Sequence, residues 1–400
     1  MLLRFLGVTM QFLRKALLAI AVIATVTVFF AFIALPGILD WNMNRVAGDA
    51  GPSPSAEALA LHQSLTIGDL HADTLLWTRS PIERSSRGHV DLPRQLAGNF
   101  ALQMYTTVTK TPRGMNIDSN SAEAGDNVTL LAAIQRWPAA TRHSLAARAL
   151  YQAERLHTAA AETDALTVIT ERKALDDLLA RRAQGAKELG ALLGTEGSHA
   201  LDGDVNNVDV LYEAGFRMMS LQHFFDNKLG GSLHGESGAG LTEFGKQAVD
   251  RMSERGIMID VAHSSEAVVR DVLARVKRPL IVSHTGFKGH CDTARNISDE
   301  TMAAIANAGG LLGVGYWDKA VCAESITAVA EAIRYGIDQF GLEHIALGSD
   351  WDGTITSPID ASQIAHLTQA LMDANLSETE IRAVMGGNMV RFLQENLPAS

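Results

Sequence analysis

Eight short apolar runs, most of them closing on a polar residue, constrain the fold more than any other feature of this chain. They are LTIGDLHAD (65–73), FALQMYTTV (100–108), ELGALLGTEG (188–197), FRMMSLQH (216–223), GIMIDVAH (256–263), PLIVSH (279–284), LLGVGY (311–316) and HIALGSD (344–350). Between most of them lie segments with helical spacing of apolar residues, such as TEFGKQAVDRMSER, SEAVVRDVLARV, SDETMAAIANAG and ESITAVAEAIRYGIDQF. Strands alternating with helices imply right-handed crossovers and a parallel sheet, and eight such units predict a closed (β/α)8 barrel. A chain of 400 residues, 47% hydrophobic, can bury a core of that size.

Barrels of this kind place their chemistry at the C-terminal ends of the strands. Here those ends carry His71, Asp73, Gln103, Glu196, His223, His263, His284, Tyr316 and Asp350. A strand alternates faces with period two, so Asp69, His71 and Asp73 project together. By the same alternation His263 shares a face with Val261 and Ile259, and His284 with Val282 and Leu280, just above the apolar interior. Four strand-end histidines and three carboxylates are costly to bury unless they hold a metal or pair with one another. His, Asp and Glu without Cys are the ligand set of hydrolytic zinc or manganese sites. One catalytic metal takes about three protein ligands; two metals sharing a carboxylate use five, and Glu196 on the third strand is placed to bridge. Such a pair, about 3.5–4 Å apart, can hold a hydroxide while polarising a carbonyl, which is hydrolase chemistry.

The N-terminal region has a different character. Ala16–Leu35 is a stretch of 20 uncharged residues preceded by Arg4, Arg14 and Lys15. It is long enough to span a bilayer, with the basic flank on the cytoplasmic side. The expected organisation is a cytoplasmic segment 1–15, a transmembrane signal anchor 16–35, a linker 36–60 containing AGDAGPSPSAEA, and an exported barrel domain 61–397, periplasmic or extracellular. A net charge of −11 without a long basic cluster argues against a nucleic-acid partner and for small molecules or peptides. The two cysteines, Cys291 and Cys322, can form a disulfide in an oxidising compartment or remain as two buried thiols.

The ordered elements HAD, TEGSHAL, LQHFFDN, LTEFGKQAVDRMSERGIMIDVAHSS, IVSHTGFKGHCDTARNISDE, GSDWDG and GGNMVRFL resemble the membrane dipeptidase (renal dipeptidase, peptidase M19) family from about Thr66 to Leu393. The resemblance implies a binuclear zinc dipeptidase with two Zn2+ per chain, acting on dipeptides that include those with a C-terminal D-residue. It implies that His71, Asp73 and Glu196 hold one zinc, and Glu196, His263 and His284 the other. It further implies that His223 contacts the substrate and stabilises the tetrahedral intermediate, that Arg295 binds the substrate, and that Asp350 holds its amino group and helps move the proton. Asp352 shares the face of Asp350 by alternation, so a shared role stays open. The resemblance also implies a Cys291–Cys322 disulfide and a homodimer. Animal relatives are held by a C-terminal lipid anchor, so here the N-terminal span is expected to attach the protein to the membrane.

Lys110–Lys187, rich in Ala and Arg, reads as a helical excursion between strands two and three whose loops form one wall of the substrate cleft. His89, His199, His290 and His344 lack the position and parity of site residues, and surface or outer roles are expected. Asp69 either orients a ligating imidazole or makes ordinary buried hydrogen bonds. Gln103 and Tyr316 either line the site or fill the barrel. Two other functions stay open: a two-metal amidohydrolase acting on N-acyl amino acids or lactones, and an inactive membrane-tethered binding protein.

Overall fold

The eight runs form the barrel strands β1 (Ile67–Ala72), β2 (Phe100–Val108), β3 (Leu189–Glu196), β4 (Phe216–Ser220), β5 (Met258–Asp260), β6 (Ile281–Thr285), β7 (Leu311–Val314) and β8 (Ile345–Leu347). In this computed structural model, which describes residues 2–399 and their side chains from Met10 onward, each strand pairs in parallel with the next and β8 pairs with β1. The expected parallel barrel is therefore closed. A short strand, Leu166–Val168, extends the sheet on the side of β3. Met1, Ser400 and the Arg4 side chain of the expected basic flank lie outside the described residues.

Helix starts follow local chemistry. The side chains of Thr242, Ser265 and Ser298 accept hydrogen bonds from the main-chain N–H groups of Gly245, Val268 and Thr301, capping the helices that follow β4, β5 and β6. Two glycines let the barrel close tightly on Ser283 in β6. A Cβ on Gly313 would lie 2.2 Å from the Ser283 carbonyl oxygen, and one on Gly348 would lie 2.0 Å from it. The excursion after β2 contains the helices Asn127–Ile134, Leu145–Ala161 and Arg172–Ala183, as its composition predicts.

Helical structure at the N-terminus runs over Leu2–Phe29, a π-helical turn Phe30–Ala34, and Leu35–Met43. Met10–Met43 is long and apolar enough to cross a membrane. Within the expected linker 36–60, a few residues are anchored to the barrel domain. Asp40 is fully buried between Arg79 and Arg87, each with its Nε 2.9 Å from Asp40 Oδ2. Arg45–Val46 pairs in parallel with Thr356–Ser357 beyond β8, and Ser55 caps the helix Ala56–Gln63. One buried carboxylate with two arginine partners holds the start of this stretch to the barrel domain.

Candidate metal centre

The strand ends converge on one carboxylate. Glu196 Oε1, at the end of β3, lies 3.5 Å from His71 Nε2, 3.4 Å from His223 Nε2, 3.2 Å from His263 Nε2 and 3.4 Å from His284 Nε2. All five side chains are buried. His263 Nε2 and His284 Nε2 are 3.0 Å apart, and the His71 and His284 rings, tilted by 46°, have centroids 3.7 Å apart. Asp73 Oδ1 stands 3.6 Å from His71 Nε2 and accepts from Thr106 Oγ1 at 2.6 Å.

The other nitrogen of two rings reveals why these side chains face inward as they do. Ser283 Oγ donates its single proton to Asp260 Oδ2 at 2.7 Å, so it accepts from His71 Nδ1 at 3.0 Å and from His284 Nδ1 at 2.9 Å. This network assigns both rings a proton on Nδ1 and an Nε2 lone pair turned toward Glu196. Burial pushes Asp260 upward, against the Ser283 and Ala262 donors that favour its charged form. Lone pairs and carboxylates converging in a buried site demand positive charge. Burial, reinforced by Asp73 and Asp350, raises Glu196 well above the usual carboxylate range, so in the metal-free chain a proton supplies part of that charge. Among the described residues, buried His71 Nε2 and His263 Nδ1 have no hydrogen-bond partner. A divalent cation satisfies this donor set, and the cluster is able to bind metal.

Two groups have donor atoms mutually close enough to share an ion: His71, Glu196, His284 and Asp350, and Glu196, His223 and His263. Glu196 belongs to both, which suits a bridge. The geometric division differs from the one the family resemblance implies, because it places Asp350 and His223 among the donors and leaves Asp73 at the edge.

The remaining site residues surround this centre. Strand β5 ends at Asp260 and β8 at Leu347, so His263 and Asp350 stand on turns three residues beyond their strands. Asp350 has φ 59° and Asp352 φ 65°, which breaks the alternation expected to put both on one face. Asp350 lines the cleft, whereas Asp352 turns away to Arg79, Thr74 and the His89 main chain. Burial, opposed by His71 and assisted by Asp73, pushes Asp350 up to about 8 in the metal-free chain. Burial pushes His223 down to about 4, so it is a neutral imidazole at pH 7. Arg295 is buried with Nη2 donating to the His284 carbonyl at 2.8 Å and Nη1 donating to Thr285 Oγ1 at 3.1 Å. Burial lowers it to about 10, so it stays charged, with its guanidinium 5.2 Å from the Trp317 ring centre. Cys291 and Cys322 form a disulfide that joins the loop carrying Arg295 to the loop after β7. A crosslink closing a loop of that length contributes about 3–4 kcal/mol in the chain-entropy account.

Other candidates resolve into supporting roles. Asp69 accepts from the main-chain N–H groups of His71 at 2.9 Å and Ser349 at 3.0 Å, tying β1 to the turn before Asp350 without touching a ring. Gln103 and Tyr316 are buried in the barrel, with Gln103 bonded to Gln95 and Tyr316 edge-on to Trp351. His89 is buried behind the site, where its Nδ1 accepts from the Asp352 N–H at 3.1 Å. His199 is buried near Phe225, His290 lies tilted against Tyr335, and His344 Nδ1 meets the Gly310 carbonyl at the opposite end of the barrel. Sequence reasoning missed Ser283, Asp260 and His234. His234 is fully buried, stacks 4.7 Å from Phe224 and bonds through Nδ1 to the Ile117 carbonyl at 2.7 Å. It comes from a Gly/Ser loop with no periodic signal.

A closed parallel barrel with a buried His/Glu/Asp cluster at its C-terminal mouth defines a protein of the metal-dependent barrel class. The profile of the membrane dipeptidase family (peptidase family M19) matches residues 55–399, and the chain belongs to that family. It is 31% identical over 215 residues to Dipeptidase aclJ of Aspergillus oryzae, covering 51% of each chain. It is 26% identical over 336 residues to human Dipeptidase 3, covering 77% of this chain and 64% of that one. The match thus spans about half to under two thirds of these curated relatives. The fold is that of a metallopeptidase from Rhodobacter sphaeroides solved with a phosphinate mimic of L-Ala-D-Ala, with a TM-score of 0.67 at 20% identity over 83% of this chain and 99% of that one.

Proposed function

We propose that the protein is a binuclear zinc dipeptidase, attached to a membrane by its N-terminal helix, with the barrel on the exported side. The observation that carries this reading is the single Glu196 oxygen within 3.2–3.5 Å of four imidazole Nε2 atoms, two of them held by Ser283 as lone-pair donors. His71, Asp73, Glu196, His263 and His284 would hold two Zn2+, with Glu196 between them. When bound, the metals supply Lewis-acid polarisation of the scissile carbonyl and a water acidified toward neutrality.

The chain's own residues do the rest. Arg295 binds the free carboxylate of the dipeptide, its guanidinium oriented by the His284 carbonyl and Thr285 hydroxyl. Asp350 holds the free amino group, accepts the proton that the attacking water gives up and passes it to the leaving amine. His223, neutral at pH 7, donates an N–H to the oxygen that gains charge as the carbonyl becomes tetrahedral. The relatives' names and the L-Ala-D-Ala mimic bound to the Rhodobacter enzyme support dipeptides, including those with a C-terminal D-residue.

The test is hydrolysis of an L,L and L,D dipeptide panel by the zinc-loaded full chain in detergent, with and without chelator. Chelator-sensitive cleavage of dipeptides, with little action on analogues lacking the amino group or the carboxylate, is the expected result. Cleavage of N-acyl amino acids or lactones in preference to dipeptides would move the assignment to another two-metal amidohydrolase activity. A folded, metal-loaded protein inert to every amide and ester offered would leave only a binding role.

A further inference from the structure

The loop after β8, residues 348–357, places Asp350 by an uncommon backbone path. Asp350, Asp352 and Thr354 have φ of 59°, 65° and 65°. Left-handed backbone crowds the Cβ of any residue but glycine, and a β-branched residue such as threonine suits it least. A loop keeps three such residues where its surroundings hold it there. Within the turn, the Gly353 N–H donates to the Asp350 carbonyl at 3.0 Å, and Asp350 Oδ1 occupies the space that a side chain on residue 353 would need. The main chain at 353–354 thus sets where the Asp350 carboxylate stands.

The loop is gripped from two sides. On the barrel side, Asp352 is held by Arg79, Thr74 and the His89 N–H, and its carbonyl accepts from Trp77 Nε1 at 2.7 Å. On the other side stands the chain as it leaves the N-terminal apolar helix. Asn44 Oδ1 accepts from the Thr354 N–H at 3.0 Å, and Asn44 Nδ2 donates to Asp40 Oδ1 at 2.9 Å. Both residues are buried, and they stand four apart at the end of the helix Leu35–Met43, so its last turn presents them together. The other Asp40 oxygen accepts from Arg79 and Arg87. Arg79 therefore reaches both Asp40 and Asp352, while Asn44 reaches both Asp40 and Thr354, and the four side chains close a ring around the turn. The following residues extend the grip: the Arg45 N–H donates to the Ile355 carbonyl at 3.2 Å, and the Ala47 N–H to the Ser357 carbonyl at 2.9 Å.

We propose that the segment Asp40–Ala47 is a positioning element of the active site: Asn44, oriented by Asp40, holds the loop after β8 in the turn that presents Asp350 to the substrate. The chemistry of Asp350 rests on the dipeptidase reading; the hold on its turn does not. The stretch that leaves the apolar helix thus does more than link that helix to the barrel. Loosening it lets the left-handed residues relax and carries the carboxylate away from the cluster.

The experiment compares the zinc-loaded full chain with its Asn44→Ala variant, both in detergent, on Ala-D-Ala. The variant should keep its zinc and lose about tenfold or more in kcat, since a small misplacement of a reacting group costs up to about 10² in rate. The exchanged pair Asp40→Asn with Asn44→Asp keeps the net charge, the acceptor for the Thr354 N–H and a hydrogen bond between positions 40 and 44, and it should restore most of the lost turnover. In an Asp350→Asn background, Asn44→Ala should cost nothing further, because a residue acting through Asp350 has no effect once that carboxylate is gone. An unchanged kcat in Asn44→Ala, no recovery in the exchanged pair, or the same proportional loss with and without the Asp350 carboxylate overturns the proposal. Hydrogen exchange read by mass spectrometry tests the grip without turnover. Asn44→Ala should speed exchange in peptides covering 350–357 and leave those of β1 and β6 unchanged; unaltered exchange at 350–357, or faster exchange throughout the barrel, overturns it. If the parent chain cleaves no dipeptide, the dipeptidase reading fails by itself, and exchange alone decides the grip.

Discussion

Two buried charged clusters lie side by side at the mouth of this barrel, and they have opposite chemistry. Around Arg79, every charge meets its opposite. The guanidinium is 2.9 Å from Asp40 and 2.7 Å from Asp352, and the other Asp352 oxygen accepts from Thr74 at 2.7 Å. These partners hold Asp352 well below the usual carboxylate range, even though burial alone would raise it. Around Glu196 the opposite holds: four rings aim nitrogens at one oxygen, and burial with two neighbouring carboxylates drives Glu196 upward. A buried cluster that neutralises itself fixes structure, whereas one that lacks positive charge is built to receive it.

Substitutions separate the two clusters. The largest effect is expected for Glu196→Gln, which should abolish both activity and zinc retention, read by metal analysis of the purified chain; normal metal content would contradict a bridging carboxylate. His223→Ala should lower kcat by roughly 10²–10³, as other oxyanion donors do, with zinc content unchanged. Loss of zinc as well would make His223 a ligand, as its 3.4 Å approach to Glu196 permits geometrically. Ser283→Ala frees the Nδ1 atoms of His71 and His284 and should weaken zinc binding about 10–100-fold in a competition titration. Arg79→Met should leave zinc affinity intact and instead cost about 3–5 kcal/mol of stability, because Asp352 stays buried without its arginine and Asp40 keeps only Arg87.

The smallest effect is a pH dependence. Asp352 titrates lower in the folded chain than in the unfolded one, so its stabilisation is fully present above the ordinary carboxylate pKa of about 3.9 and is lost as pH falls through the lower folded value. Asp352→Asn should therefore lower Tm at pH 7, and the gap to the parent should narrow below about pH 4. A gap that widens in acid would reverse the sign of the argument.

The barrel was legible because its signals are periodic: each of the eight apolar runs became a strand, and the polar residues at their ends met at one mouth. His263 and Asp350 were found although both stand beyond their strands, because a barrel gathers its loops as well as its strand tips. Alternation misled only at Asp352, where positive φ angles at 350 and 352 turn the chain. The residues that escaped notice act through partners far away in sequence. Ser283 joins two imidazoles to Asp260, and Arg79 joins the N-terminal apolar helix to the loop after β8. No local pattern marks such a residue, because its meaning lies in the contact rather than in the spacing. The same reason hid the packing of residues 36–44, where Asp40 meets Arg79 and Arg87 far away in sequence.

The most direct measurement is an anomalous difference map at the zinc absorption edge from crystals of the zinc-loaded chain. The account predicts two peaks at the strand ends, each within the roughly 2.0–2.2 Å of a zinc–carboxylate bond from an oxygen of Glu196. One peak alone, or peaks that leave Glu196 hydrogen-bonded to the histidines, would contradict it.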